Sequence, residues 1–227
     1  MSRELLRSLY KRSPRQLQMQ LLVRRRTPTW VNSGIVFIHI PRVAGTSINQ
    51  ALYGQFMGHP QAAEIRRWGT ASLNALPFFA VTRNPWQRLI SAYRFARRGG
   101  GSGGEFEAGI LHRRRYQVAE FDSFKHFVEK WLLHRDPANL DGIFQPQSMF
   151  VTGAEGEILV DHVGRLNDLE PTLDFIERAL GHRPEIPRGN CSGERRDFRQ
   201  FYTPELRRLV GRFYAEDIER FGYSFDS

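Results

Sequence analysis

Lysine is scarce in this sequence. Of 33 basic residues only Lys11, Lys125 and Lys130 are lysines, so almost all its cationic chemistry belongs to arginine. The G-x-x-x-x-G-K-[ST] loop of nucleoside triphosphatases is absent, as is an obvious magnesium carboxylate after a strand. Both absences argue against a kinase-like phosphotransferase. The single cysteine, Cys191, excludes an internal disulfide, so nothing demands an oxidising compartment. No His/Cys cluster has zinc-like spacing. No apolar run approaches the ~20 residues of a membrane-spanning helix, and the N-terminus lacks a signal-peptide core. These absences together give the expectation of a soluble, cytoplasmic protein, unless it is recruited to a surface.

Acidic residues are missing from one end. Residues 1–34 hold eight Arg/Lys against Glu4 alone, while the remainder of the chain is nearly balanced despite a net charge of +9. The expected organisation is a basic N-terminal tail or docking helix over 1–33 and one domain over 34–227, long enough to bury a full core. Such a tail suits peripheral contact with an anionic membrane or polymer; it also reads as a solvated arm. Leu17, Leu21 and Leu22 suggest an amphipathic turn, and Thr27-Pro28-Thr29-Trp30 an extended connection.

The most informative stretch is Gly34 to Ile48. Ile35–Ile40 is apolar and β-branched, which predicts a buried strand ended by Pro41. Arg42-Val43-Ala44-Gly45-Thr46-Ser47 then leads into a helix. Strand, tight loop and helix N-terminus form an anion site, because unpaired N–H groups and the positive end of the helix dipole converge. The same residues also read as a strand, a turn and an ordinary cap.

Further on, Phe78–Thr82 predicts a second strand. It ends at Arg83, where Asn84 caps a helix that starts with Pro85. Arg97–Gly104 reads as a flexible insertion. Asp122 is the expected cap of an aromatic helix, Ile158–Gly164 a third strand, and Leu169–Leu180 a helix ended by Gly181. Thr203 opens a long final helix. Strands alternating with helices predict an α/β fold with an open, mostly parallel sheet, whose ligand sits beyond the carboxyl ends of the strands. Arg42 and Arg83 both lie there. Ser91, about two helical turns after Asn84, is the hydroxyl expected beside Arg83. Two cationic strand ends suit a ligand with two phosphate groups; singly, Arg83 also reads as a helix-start ion pair and Ser91 as a packing residue.

FIHIPRVAGTSI followed by FFAVTRNPWQRLISAYRF resembles the two nucleotide signatures of sulfotransferases that use 3′-phosphoadenosine 5′-phosphosulfate (PAPS). The likeness is closest to the carbohydrate branch, sulfotransferase family 2, and extends through QPQSMF, VDHVGRLNDLEPTLDFI and YTPELRRLVGRFYAEDIERFGYSF. The resemblance implies a P-loop NTPase-like sulfotransferase fold. It also implies in-line, metal-free transfer of a sulfuryl group to a hydroxyl, or less readily an amine, of a saccharide or similar acceptor. Arg42 to Ser47 would hold the 5′-phosphosulfate, and Arg83 with Ser91 the 3′-phosphate. PAPS and its product adenosine 3′,5′-bisphosphate (PAP) are then the expected nucleotides, and nucleic acid is not expected. His59, in the loop before the second strand, stands where relatives acting on glycosaminoglycan carry a catalytic histidine; it also reads as a turn histidine beside a proline. His39 and His162 read as packed rather than catalytic.

Two residues depart from the family pattern. Arg42 stands where lysine is usual; it keeps the charge but donates no proton at neutral pH. Asn167 stands where relatives often place glutamate. A catalytically weak or inactive module that binds an anionic polymer or membrane is the alternative these departures leave open.

Overall fold

The computed structural model describes residues 13–99, 113–186 and 197–227. Cys191, residues 1–12 and the glycine run at 100–104 lie outside them. Residues expected to form a tail or docking helix contribute a helix, α1 (Arg15–Ser33), ended by Gly34 in the left-handed region. Its inner face buries Val23 and Trp30 completely in the main core. The extended connection expected at Thr27–Trp30 is therefore helical, with Pro28 inside the helix. Proline removes one backbone hydrogen bond. Burial of the Trp30 side chain offsets that loss, at roughly 25 cal/mol per Å² of apolar surface, and the Thr27 hydroxyl donates to the Val23 carbonyl at 2.9 Å.

Three strands form a parallel sheet in the order β1 (Val36–Ile38), β2 (Phe78–Thr82), β3 (His162–Arg165). Every residue of β1 and β2 is buried, which is why both read as unbroken apolar runs rather than as alternation. The third strand starts later than expected. Ile158 instead makes an antiparallel bridge to Thr152, and Asp161 turns its carboxylate onto the Phe78 amide at 2.7 Å. The crossover from β1 to β2 carries α2 (Gly45–Tyr53), α3 (Ala62–Trp68) and α4 (Ala71–Asn74); α5 (Pro85–Arg97) follows β2.

A second core, largely aromatic, lies on the far side of α5. It joins Tyr93 to Tyr116, Phe121, Phe127, Trp131 and Phe144. The segment carrying Phe127 and Trp131 runs from Phe124 through an α-turn and a π-turn into a 3-10 turn ending at His134. Its cap is Ser123, whose hydroxyl accepts from the His126 amide, and not Asp122. The expected long C-terminal helix breaks at Tyr214 into Pro204–Phe213 and Ala215–Phe221. The break lets the Tyr214 hydroxyl donate to the Phe144 carbonyl at 2.8 Å and buries Asp217.

Candidate active site

The loop between β1 and α2 is built from strained backbone. Arg42 (φ 73°) and Ala44 (φ 59°) both occupy the left-handed region that non-glycine residues avoid. Each costs on the order of 1 kcal/mol, and such strain clusters at functional sites. Ala44 takes the N-cap place of α2 and offers no side-chain acceptor. Within the described residues the backbone N–H groups of Val43, Ala44, Gly45 and Thr46 make no hydrogen bond; the Ser47 amide reaches the Ala44 carbonyl at 3.2 Å. Ala44 and Thr46 are exposed while Val43 and Gly45 are buried, so the loop is open at Ala44 and Thr46, at the positive end of a helix.

Gly45 is required by what lies beneath it. A Cβ there would fall inside the His39 ring. The glycine thus seats the first turn of α2 on a buried imidazole. Asn49, one turn further along α2, fixes that ring. Its Nδ2 donates to the Gly45 carbonyl and to His39 Nδ1, both at 2.9 Å. A carbonyl can only accept, so the amide nitrogen faces both groups, and His39 carries its proton on Nε2. Burial, then His59 and Arg42, push the His39 pKa well below its ordinary value. His39 is a neutral, packed ring.

His59 is oriented the opposite way. Its Nδ1 lies 2.6 Å from the His39 carbonyl, which makes Nδ1 the protonated nitrogen and leaves the lone pair on Nε2. Nε2 is buried and has no partner among the described residues. The ring packs on His39 (centroids 4.2 Å) and meets Phe56 edge-on (5.2 Å). Burial, together with the charges of Arg88 and Arg42, lowers its pKa to about 4, against the opposing pull of the His39 carbonyl.

The two strand ends meet. The Arg83 guanidinium donates from Nη1 to the Arg42 carbonyl at 3.3 Å and from Nε to Gln87 at 3.1 Å. Ser91 bonds Arg42 in this structure rather than Arg83. Its hydroxyl accepts from Arg42 Nε and Nη2 at 3.2 and 3.0 Å, and the Arg42 guanidinium lies 4.3 Å from the Phe95 ring centre. Arg88, Ser91 and Phe95 sit three and four residues apart, so one face of α5 presents all three to the loop. Burial, then the charges of Arg83, Arg98 and Arg88, lower the Arg42 pKa to about 10. Arg42 remains charged at neutral pH, in a cluster of like charges that an anion would relieve.

Three residues to which sequence reasoning gave no role hold this arrangement. Arg88, 2 % exposed, donates to the carbonyls of Pro41 (3.0 Å), Gln145 (2.8 Å) and Gly142 (3.1 Å). It ties the loop after β1 to the 134–147 loop, whose Gly142 lies close to Pro41. Gln147, fully buried, brackets Arg83 by accepting from its amide (2.9 Å) and donating to its carbonyl (2.8 Å). Asp217 accepts from the amides of Gln147 and Ser148, both at 2.8 Å. Arg88 and Gln147 were visible inside the RNPWQR and QPQSMF runs; Asn49 carried no signal beyond its helical spacing from Gly45. His162 bonds Thr172 at 3.1 Å and stacks on Phe175, on the β3 side of the sheet. Asn167 is exposed beyond β3.

The family model described as the sulfotransferase family matches residues 30–224, which include every residue of this site. The chain is a member of sulfotransferase family 2. No curated protein and no solved structure matches it. Sulfuryl transfer is the family's reaction, and the small open parallel sheet agrees with a sulfotransferase α/β fold. Within this sulfotransferase, Arg42, Gly45, Arg83, Ser91 and His59 converge around the C-terminal end of β1.

Proposed function

We propose that the protein transfers a sulfuryl group from PAPS to a hydroxyl of a saccharide or similar acceptor. The observation that carries this reading is the juxtaposition of open loop amides and Arg42 with a histidine whose free nitrogen is Nε2. The 5′-phosphosulfate would lie against the amides of Val43 to Thr46, with the hydroxyls of Thr46 and Ser47 at the helix start. Arg83 is tied to the Arg42 carbonyl, which suits it to the second phosphate of the nucleotide. Ser91 would change partner, giving up Arg42 when the guanidinium turns to the donor.

The acceptor oxygen attacks sulfur in line, its proton passes to His59 Nε2, and the bond between sulfur and the 5′-phosphate oxygen breaks. Negative charge builds on the departing phosphate, where Arg42 and the loop amides stabilise it more in the transition state than before. Arg42 acts as a fixed charge, and the proton work falls to His59. No step here calls for a metal ion.

Contact with an anionic membrane is proposed for the outer face of α1. Leu17 and Leu21 are 44 % and 46 % exposed there, with Arg24 and Arg25 exposed on the next turn. None of the described helices is long and apolar enough to cross a bilayer.

The test is sulfate transfer from ³⁵S-labelled PAPS to a panel of neutral and acidic oligosaccharides. The expected result is PAP release that depends on acceptor and is lost in His59→Ala. Nucleotide binding without transfer to any acceptor would leave the non-catalytic module as the correct reading.

A further inference from the structure

His39 belongs to the donor site and to the base at once. Its ring carries Gly45 at the start of α2, Asn49 of the same helix fixes its Nδ1, and its carbonyl holds His59 Nδ1–H. No protein group among the described residues satisfies His59 Nε2. The charged and titratable groups that act on His59 are Arg42 from the loop, Arg88 from α5 and His39 from the end of β1. Phe56 and the Leu22 side chain, which approaches Gly58, supply only apolar surface. Every ionic group facing His59 is therefore cationic or held neutral.

Resting on the proposed function, we infer that donor binding and protonation of His59 are one linked event: an anion in the Arg42–Ser47 loop strengthens the base that the reaction then needs. In the empty site two guanidinium charges oppose an imidazolium. The nucleotide phosphates neutralise that field from the same side. An opposite charge brought close raises a group's proton affinity by about tenfold or more. Linkage makes the effect reciprocal, so a protonated His59 also holds the nucleotide more tightly. Burial is the larger cause of the low His59 pKa and the two guanidinium charges the smaller; the donor acts against the smaller one, so the base is strongest with donor in place. The His39 carbonyl keeps Nδ1 of His59 protonated and confines proton uptake to Nε2.

Isothermal titration of PAP at pH 5.5, in two buffers of different ionisation enthalpy, counts the protons exchanged. PAP phosphates also titrate near this pH, so wild type is compared with His59→Gln, in which the ligand's own contribution is unchanged. The expected result is about 0.2 proton or more of extra uptake per nucleotide in wild type, the amount a tenfold rise in proton affinity gives at this pH. A ¹³Cε1 histidine NMR titration of wild type needs no variant. It should show one histidine with a midpoint near 4 that moves upward on adding PAP. Equal proton uptake in wild type and variant, or a midpoint that PAP leaves in place, overturns the inference while binding stands. Absence of saturable binding at millimolar PAP would overturn the proposed function together with it.

Discussion

The ends of β1 and β2 lie side by side and are finished in opposite ways. After β1 the chain turns through two left-handed residues and leaves a row of amides without acceptors. After β2 the backbone is closed off: Gln147 brackets Arg83, while Asn84 caps α5 with its oxygen and binds the carbonyls of Ser224 and Ser227 with its nitrogen. One end is a socket and the other is a mount. Unsatisfied donors are costly to bury and cheap to expose, so the open end is the one that can gain from a ligand. The closed end supplies α5, whose Arg88 and Ser91 set the height and direction of the open one.

The largest expected effect comes from removing the proposed base. His59→Ala should lower sulfate transfer by about 10²–10⁴-fold while PAP affinity at neutral pH changes little, as steady-state kinetics and calorimetry would show. A parallel loss of affinity would place His59 in the mount rather than the socket. Arg42→Ala should cost on the order of 10²-fold or more in kcat/KM, and Arg42→Lys should keep most activity. Equal rates for wild type and Arg42→Ala would remove the loop from the chemistry.

Structural changes follow in size. Arg88→Leu leaves three buried carbonyls unpaired, so the melting temperature should fall by the equivalent of about 3 kcal/mol. An unchanged melting temperature would show that Arg88 does not hold the two loops together. Ala44→Gly should be the mildest: relief of about 1 kcal/mol of left-handed strain is partly cancelled by the greater freedom of glycine when unfolded. Denaturant unfolding should show a gain below about 1 kcal/mol, and destabilisation would contradict the strained-socket description.

The pH dependence has a definite sign. The folded pKa of His59, about 4, lies below its ordinary 6.5. Between these values the unfolded chain binds more protons than the native one, so stability rises with pH. Its contribution is complete above about 6.5 and is lost as pH falls toward 4. The His59→Gln variant should show a flatter dependence of melting temperature on pH across this window.

Much of the fold was legible because its signals are local. The β2 strand, the Asn84 cap with Pro85, the Gly181 stop and the Thr203 cap each appear where their residues put them. Trp30 was misread because the proline two residues before it predicts a break, and only the tertiary burial of that ring overrides the local preference. The partners of Ser91 and Asn49 were not legible. Which side chain a helix residue meets depends on how high the neighbouring loop stands, and Arg88 sets that height through bonds to residues more than 40 positions away. Arg42 in place of lysine gains its reason here: a planar guanidinium can meet Ser91 and Phe95 together, which an ammonium cannot do in the same geometry.

The most direct test of the central claim is calorimetric titration of PAP into wild type and into Arg42→Ala at pH 7. The socket account predicts one saturable site in wild type, with affinity reduced at least tenfold in the variant. Identical binding isotherms for the two proteins, or no binding to wild type at millimolar nucleotide, would contradict it.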